Sequence, residues 1–496
     1  MQSFFPYFKL RNFNCDQVFQ PLHTVCLDTF IISLRFKPFR SGMEAMLAID
    51  QTLTLIIFVI TIALIVFRVL PETLASLIGA SLMIFLGLAP FNKALGEFID
   101  WNIIAILLGM WIITSYMVEA GIPHVLISNI GKRTRTYRAF IILLSFLAGF
   151  ISMFVDNVLV VLLFAPIVIE VSKKLKKSPV NGVLLVSLSA NFMGTALLLG
   201  DLPPQMLHSI VGFEFVDFLI YEGKPSSFPI LVLSFILTLL IFYKFFPREK
   251  SANTISYNML QIKDVNYRLA KISSCFFMLT IVLMSLRREL SYVLKTYLQQ
   301  LTDFYDLKLG LITLSMAVLL GLTVELLRYK RKVKGPSFEE ILKNIQWDAV
   351  LFYSSLFILA KTLEYKGLLR LLASFLEEFL TSQTIVATTL LYWITAPLVA
   401  FIEHDAYILT LLLTLKELVQ KGMLAHPSPL YWALVWAGTL GSNYTVVGAP
   451  ALYVALTILR SKGYKISLRK FYSVTIPYAT VSLMLTYIIA LPLWFM

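Results

Sequence analysis

Apolar runs about as long as a membrane is thick recur through this chain, and they restrict its possible folds more than any other feature. A helix needs about 20 apolar residues to cross roughly 30 Å of hydrocarbon, and residues 53–69, 227–246 and 474–495 meet that length. Of the 496 residues, 58% are hydrophobic and only 14% are charged, whereas about a quarter are charged in soluble domains. The sequence therefore predicts an all-α, multi-pass membrane protein whose main partner is the lipid bilayer.

The net charge of +13 lies mainly in short loops between apolar runs. Basic residues in such loops mark the cytoplasmic side of a membrane protein. The charge therefore indicates topology, and we expect no nucleic acid partner. The three cysteines, Cys15, Cys26 and Cys275, are too scattered for a metal or redox site.

The two halves of the chain repeat one order of segments. Trp101 and Gly121 bound one span, and Trp347 and Gly367 bound its counterpart at the same separation of 20 residues. Each half has five predicted spans and one two-armed segment, at residues 139–171 and 384–420. The predicted spans are 51–69, 72–90, 101–119, 182–199 and 227–246 in the first half, and 269–286, 307–327, 347–364, 430–447 and 472–495 in the second.

Loop charges orient the two halves in opposite directions. Basic clusters at 132–138 and 173–177 place both ends of the first two-armed segment in the cytoplasm, whereas the acidic loop 201–222 reads as external. An odd number of spans per half turns the second half over, so we predict an inverted repeat, with a re-entrant hairpin and a broken helix in each half. The predicted regions are a first repeat (51–246), a cytoplasmic linker (247–268) and a second, inverted repeat (269–496).

The segment before the first repeat, residues 1–50, is predicted to be an N-terminal extension. The number of predicted spans before the first cytoplasmic loop is odd, which places the N-terminus outside. The first 42 residues nevertheless hold five basic side chains, which favour the inside. A start at Met43 would remove this conflict, because the segment that follows Met43 is acidic. We therefore expect that the start is mis-called and that synthesis begins at Met43. The intact mass of the native protein would test this.

Ionisable residues stand at the two predicted hairpin tips. Asp156 and Asn157 occupy the first tip, and Glu403, His404 and Asp405 occupy the second. Charged groups within membrane segments are costly and usually mark an ion or substrate pathway. We expect ion binding at the first tip and proton exchange around His404. The alternative is that the arms of the first segment are full spans and that both tips are solvated turns.

Glycine, hydroxyl and amide residues interrupt the span that follows each hairpin. The backbone of a broken helix can bind a cation through its carbonyls and an anion at a helix N-terminus, although small residues also serve helix packing. We predict Na⁺ sites near Asn157 and Asn443. The candidate residues of the two breaks are Asn191, Gly194, Thr195, Gly200, Asp201, Ser442, Asn443, Thr445 and Gly448.

These segments resemble the ion transporter superfamily, which includes citrate-type carriers, arsenite permeases, bacterial sodium–proton antiporters and the P protein. The resemblance covers about residues 51–496, and its pattern departs at Glu403-His404, where relatives have Asp-Asn, and at Leu202, which interrupts Asp-Pro-Pro. It implies a scaffold domain that also forms a homodimer, and a moving domain that carries the hairpins and broken helices. For some arsenite permeases it also implies a partner ATPase. The segments that carry it are 99–121, 154–166 and 191–204, with counterparts at 345–367, 401–413 and 438–450.

The sequence therefore predicts a secondary active transporter of the cell membrane. Its expected substrate is an anion such as arsenite, another oxyanion or a carboxylate, with H⁺ or Na⁺ as coupling ion and no other cofactor. A Na⁺/H⁺ antiporter is the alternative, and a passive channel also stays open. We do not expect an enzyme. An intramembrane aspartyl protease would match Leu199-Gly200-Asp201 and Pro450-Ala451-Leu452 faintly, but Leu198 replaces a motif glycine and we expect no second carboxylate beside Asp201.

Overall fold

Helices make up most of the described chain, which comprises residues 49–67, 69–125, 134, 136–245, 265–298, 307–380, 384–402, 404–424, 426–446 and 448–496 of this computed structural model. The predicted N-terminal extension lies almost wholly outside the described residues, as does most of the predicted linker. The elements of the first half are α1 (Ile49–Val66), α2 (Glu72–Phe85), α3 (Phe91–Lys93), α4 (Trp101–Glu119), α5 (Tyr137–Ser152), α6 (Asn157–Lys174), α7 (Val180–Gly194), α8 (Leu202–Met206), β1 (Ile220–Tyr221), β2 (Lys224–Pro225) and α9 (Ser227–Phe245).

The second half contains helices alone in its described residues. Short π-helical turns extend α3, α8 and α20, at Ala94–Phe98, Leu207–Val211 and Leu491–Phe495. The helices of this half are α10 (Tyr267–Ser285), α11 (Arg287–Leu298), α12 (Leu309–Tyr329), α13 (Phe338–Lys343), α14 (Trp347–Tyr365), α15 (Leu368–Leu380), α16 (Thr384–Leu398), α17 (His404–Gln420), α18 (Ser428–Ser442), α19 (Pro450–Ser461) and α20 (Leu468–Ala490).

Six of the described helices are long and apolar enough to cross a membrane: α1, α4, α9, α10, α12 and α20 with its π-helical extension. On α1 the polar side chains of Thr54 and Thr61 are buried, whereas Val59 and Ile60 are more than half exposed. This distribution is inverted relative to a helix on a water-soluble protein, and it suits a helix with one face in lipid. The prediction of a helical protein with several apolar spans is confirmed.

Both predicted interruptions occur in the structure. Helix α7 ends at Gly194 and α8 begins at Leu202, while α18 ends at Ser442 and α19 begins at Pro450. The predicted spans 182–199 and 430–447 therefore ran too far at their C-terminal ends, because apolar residues continue past the point where the backbone leaves the helix. The two-armed segments form α5–α6 and α16–α17. Helix α6 has 18 residues but is not among the six described helices that are long and apolar enough to cross a membrane.

Carboxylate caps fix where two key helices begin. The Asp156 side chain accepts hydrogen bonds from the backbone N–H groups of Val158 (3.0 Å) and Leu159 (3.1 Å), and so starts α6. Asp100 starts α4 in the same way, through the N–H groups of Asn102 and Ile103 (both 3.1 Å). Such caps satisfy donors that have no partner within the helix. The tip of the first hairpin is therefore a helix N-terminus with a carboxylate on it.

Helix pairs recur at corresponding places in the two halves. Helix α4 packs against α12, and its counterpart α14 packs against α2; likewise α5 packs against α7, and α16 against α18. Glycine permits the close approach of α4 and α12, because a Cβ at Gly109 of α4 would overlap the backbone of Thr313 in α12. The Asn102 side chain then accepts a 2.8 Å hydrogen bond from the Gly310 N–H.

An ion-pair cluster joins the loop after α8 to α11, a helix that the sequence pattern did not indicate. Arg287 donates to both carboxylate oxygens of Glu214, from Nε to Oε2 (2.9 Å) and from Nη2 to Oε1. Arg288 lies 2.9 Å from Asp217. Both carboxylates are buried, and burial of a charge requires a partner of opposite charge. Two acidic residues of the predicted loop, Glu214 and Asp217, are thus neutralised by the start of α11.

Candidate ion-binding site

The first hairpin tip contacts the first broken helix directly. The Asn157 amide nitrogen donates to the Asn191 side-chain oxygen (3.0 Å) and to Asp201 Oδ2 (3.2 Å). Asp201 also caps α8 by accepting a 2.9 Å hydrogen bond from the Leu202 N–H. Three predicted site residues from separate segments therefore form one buried cluster.

Asn191 extends this cluster into the second broken helix. Its amide nitrogen lies 2.9 Å from Ser442 Oγ, 3.1 Å from Asn443 Oδ1 and 3.2 Å from the Thr439 carbonyl oxygen. Asn191, Ser442, Asn443 and Thr439 have no solvent exposure. Buried polar groups are stable only when hydrogen-bonded, so this network holds the two breaks against each other. At the predicted Na⁺ position near Asn443, the side-chain oxygen is already paired with an amide.

The contact between the breaks has internal symmetry. Asn191 and Thr439 each lie three residues before the end of their helix, and Thr195 and Asn443 each lie one residue after it. The Asn191–Asn443 bond is matched by a 2.6 Å hydrogen bond from the Thr195 hydroxyl to the Thr439 hydroxyl. Corresponding positions of the two breaks therefore pair with each other.

The second hairpin tip meets the first broken helix at Asp201. His404 and Asp405 begin α17 and are 1% and 2% exposed, with His404 Nε2 3.3 Å from Asp405 Oδ1. One potential metal-ligand atom each from Asp201, His404 and Asp405 lies within 4.8 Å of the others. The alternative of a solvated turn does not fit His404 or Asp405. Glu403 lies outside the described residues.

One expectation about Asp201 is wrong. It does not lie apart from a second carboxylate, since Asp405 is beside it, and it is only 6% exposed. The reason is tertiary: α8 packs against α17, which brings the N-terminus of α8 to the second hairpin tip. Sequence separation gave no sign of this contact.

A cavity of about 510 Å³ opens beside these groups. Among the described residues, its lining includes no lysine or arginine. Besides the predicted residues, α2 and the start of α14 contribute polar groups; Gln346 donates a 3.2 Å hydrogen bond to Asp156 Oδ1. The polar and ionisable residues that line the cavity include Glu72, Asp156, Asn157, Asp201, Gln346, Asp348, His404 and Asp405.

The predicted glycines pack the breaks against the hairpin turns. A Cβ at Gly200 would overlap the carbonyl oxygens of Ser152 and Gly194, and a Cβ at Gly448 would overlap that of Val399. A Cβ at Gly194 would lie 3.2 Å from the Asp201 Cβ.

Thr445 also contacts the second hairpin, since its hydroxyl donates to the Ala400 carbonyl oxygen. Like the glycines, it shapes the site through the backbone. The structure thus gives these four residues packing and backbone roles next to the ionisable groups.

Sequence reasoning missed Gln346, Thr439 and Gln205. Gln346 had a signal, because it precedes Trp347 as Asp100 precedes Trp101, in matching motifs of the two halves. Thr439 stands at the position of Asn191 in the other half. Gln205 follows Asp201 by one helical turn, and its burial could not be foreseen from an irregular Gly- and Pro-containing segment.

The sequence profile of a family described as citrate transporter matches residues 62–437. An uncharacterized transporter of Mycobacterium tuberculosis is 27% identical over 444 residues, which are 88% of this chain and 97% of that protein. The P protein of Sus scrofa is 26% identical over 502 residues, covering 90% of this chain and 59% of that protein.

Among solved structures, MtrF of Neisseria gonorrhoeae, described as one of a class of antimetabolite efflux pumps, shares the fold. The TM-score is 0.53 at 15% identity, with 90% of this chain and 95% of that chain covered. The predicted resemblance to the ion transporter superfamily is confirmed. The buried ionisable cluster, the apolar helices and the match over most of the chain agree: this is a multi-pass membrane transporter that belongs to the citrate transporter family.

Proposed function

We propose that this chain is a secondary active transporter of the cell membrane, in which a gradient of H⁺ or Na⁺ moves a small ion through the cavity. One observation carries the proposal: carboxylates and an imidazole from both hairpin tips and one broken helix meet in a single cavity. Groups of this kind, placed deep among apolar helices, bind ions that cross the membrane. The cavity is where the coupling cation binds.

Alternating access would follow from an inverted repeat of two five-span halves, each with a re-entrant hairpin. The recurring helix pairs support this arrangement, as do the two helix breaks and the matched Asn191–Asn443 and Thr195–Thr439 contacts. Basic clusters flank the first two-armed segment, whereas the ends of the second carry only sparse, mixed charge. This difference supports the inversion. Rocking of the hairpins and broken helices against α2 and α14 would open the cavity to either side.

An anion such as arsenite, another oxyanion or a carboxylate is the first candidate substrate. The N-terminal residues of α6, α17 and α19 line the cavity, and helix N-termini attract negative charge. The family's description as citrate transporter supports a carboxylate. The bound cation would offset the charge of the acidic side chains while the anion is present.

Na⁺/H⁺ exchange is the second candidate, and the charge of the cavity favours it. Asp156, Asp201 and Asp405 line the cavity, and none of its described lining residues is a lysine or an arginine. Such a lining attracts cations and repels a free anion. Acid-loaded proteoliposomes separate the two candidates, because exchange raises internal pH when Na⁺ alone is added outside.

We further propose that the chain forms a homodimer through its scaffold domain. This arrangement is compatible with the binding of a partner ATPase. Exposed apolar side chains on α1 and α2, such as Ile60 and Phe85, suit contact with lipid or with a second copy. The coupling ion is the only cofactor that this account requires.

Replacing Asp156 with asparagine is expected to abolish gradient-driven flux while the protein stays folded. Asparagine keeps an oxygen for the α6 cap and for Gln346, but it removes the negative charge that attracts the coupling cation. The measurement is the rate of ion flux in proteoliposomes with an imposed pH or Na⁺ gradient. Asp100→Asn is the matched control, since Asp100 caps α4 with the same geometry. Equal loss of flux in both variants would contradict the role of Asp156.

A further inference from the structure

We infer that Asp201, His404 and Asp405 form a site for a first-row divalent transition metal ion, Zn²⁺ or Mn²⁺, which the protein carries as a substrate. This inference rests on the proposed function, because it takes the cavity as the transport pathway. One nitrogen or oxygen atom from each of the three side chains lies within 4.8 Å of the others. Ligand atoms around one such ion, each about 2.0–2.2 Å from it, are separated by less than that distance.

The three ligands come from two elements that pack against each other, α8 and α17. Asp201 is fixed as the cap of α8 by its bond to the Leu202 N–H, and its Oδ2 accepts the Asn157 amide. His404 and Asp405 are successive residues at the start of α17. A metal site needs ligands held in place by other contacts, and Asn157 supplies such a contact for Asp201.

Burial and charge favour a cation of charge two at this site. The three side chains are at most 6% exposed, and the described lining of the cavity holds a further carboxylate, Asp156, without a lysine or arginine. Buried carboxylates need a positive partner or a metal ion. A divalent ion would offset both Asp201 and Asp405, which a single Na⁺ cannot do.

Gln205 offers an independent sign of a ligand. It lies one helical turn after Asp201, is 1% exposed, and its Oε1 has no hydrogen-bond partner among the described residues. With Asp156 and Asp201 it lines a second, smaller cavity of about 10 Å³, which is the volume that one water or one ion needs. A buried amide oxygen without a partner is costly. Asp201 lines both cavities, whereas His404 and Asp405 line only the larger one, so a water in the smaller cavity that bridges Gln205 to the ion would satisfy this oxygen.

The donor set selects the class of metal. An imidazole with two carboxylates suits Zn²⁺ and Mn²⁺, whereas Mg²⁺ and Ca²⁺ prefer oxygen ligands alone and Cu(I) prefers sulfur. No cysteine occurs among the described residues that line either cavity. The larger cavity also has no methionine, and the smaller one has only Met110.

Equilibrium binding tests the site without any gradient. The full chain, without a polyhistidine tag and in lipid nanodiscs, is dialysed against Zn²⁺ or Mn²⁺ in excess Mg²⁺, and bound metal is counted by mass spectrometry. We expect one ion per chain, with affinity reduced at least about tenfold in His404→Gln and Asp405→Asn. Gln205→Leu should also weaken binding, and it removes an unpartnered oxygen, so it preserves the fold. His426→Gln, which alters an exposed histidine, should bind as the unaltered protein does.

Two results would overturn the site: no retained metal, or metal retained equally by His404→Gln and Asp405→Asn. Flux assays on the same preparations separate this inference from the proposed function. Gradient-driven flux without metal binding would refute the metal site and leave the transporter proposal standing. Metal binding without gradient-driven flux would refute the coupling proposal and leave the site standing.

Discussion

Asn191→Ala is expected to abolish transport and to lower the free energy of unfolding by about 3 kcal/mol or more, since each buried polar group left without a partner costs about 1–3 kcal/mol. The Asn191 side chain bonds to Asn157, Ser442, Asn443 and the Thr439 carbonyl. Alanine leaves at least the Asn157 amide and the Asn443 oxygen without this partner. The two breaks would then lose the contact that sets their separation.

Ser187→Ala is the matched control for this substitution. Ser187 lies one turn earlier in α7, is fully buried, and its hydroxyl has no hydrogen-bond partner among the described residues. Both substitutions gain helix propensity of similar size, so the difference between them isolates the amide network. Thermal unfolding in detergent and flux in proteoliposomes measure it. If both variants unfold at the same temperature, the network does not stabilise the protein.

Gly200→Ala is the second substitution with a large expected effect: a loss of about 3 kcal/mol, the upper end of the usual range for overpacking, together with loss of transport. The added methyl group would overlap the carbonyl oxygens of Ser152 and Gly194. These are backbone atoms, so no side-chain rotation relieves the overlap. The first hairpin must move away from the break, which displaces Asp156 and Asp201 from the cavity.

Gly448→Ala should have a similar effect in the second half, because its Cβ would overlap the Val399 carbonyl oxygen. Gly96→Ala provides the control, since nothing lies within 4 Å of a Cβ at Gly96. It should change stability by no more than about 1 kcal/mol, the helix-propensity difference between glycine and alanine. Equal stability and equal flux in Gly200→Ala and Gly96→Ala would show that the close packing of the break is not needed.

Local sequence patterns predicted the helices well where their physical basis is local. The span 101–119 matches α4, because Asp100 provides a cap at one end and Gly121 follows the other. The breaks after Gly194 and Ser442 were predicted from glycine, proline and polar residues, which disfavour a continuous helix. Capping and backbone preference act over a few residues, so the sequence displays them.

Contacts between distant segments were harder to predict. Asp201 was assigned to an external loop, yet it lies beside Asp405, about two hundred residues later in the chain, because α8 packs against α17. The cap on Asp156 is local, but its bond to Gln346 depends on how α14 packs. Helix α11 was missed because it is amphipathic and short, and its ion pairs with Glu214 and Asp217 form only in the folded chain.

Ion accumulation in proteoliposomes that contain the unaltered protein tests the central claim most directly. With a pH difference of one unit and no membrane potential, one-for-one coupling to H⁺ should concentrate Na⁺ or the substrate anion about tenfold, since both gradients then hold the same free energy. An imposed Na⁺ gradient should drive the anion in the same way if Na⁺ is the coupling ion. Equal concentrations on both sides under every gradient would contradict the account, because a passive channel gives that result.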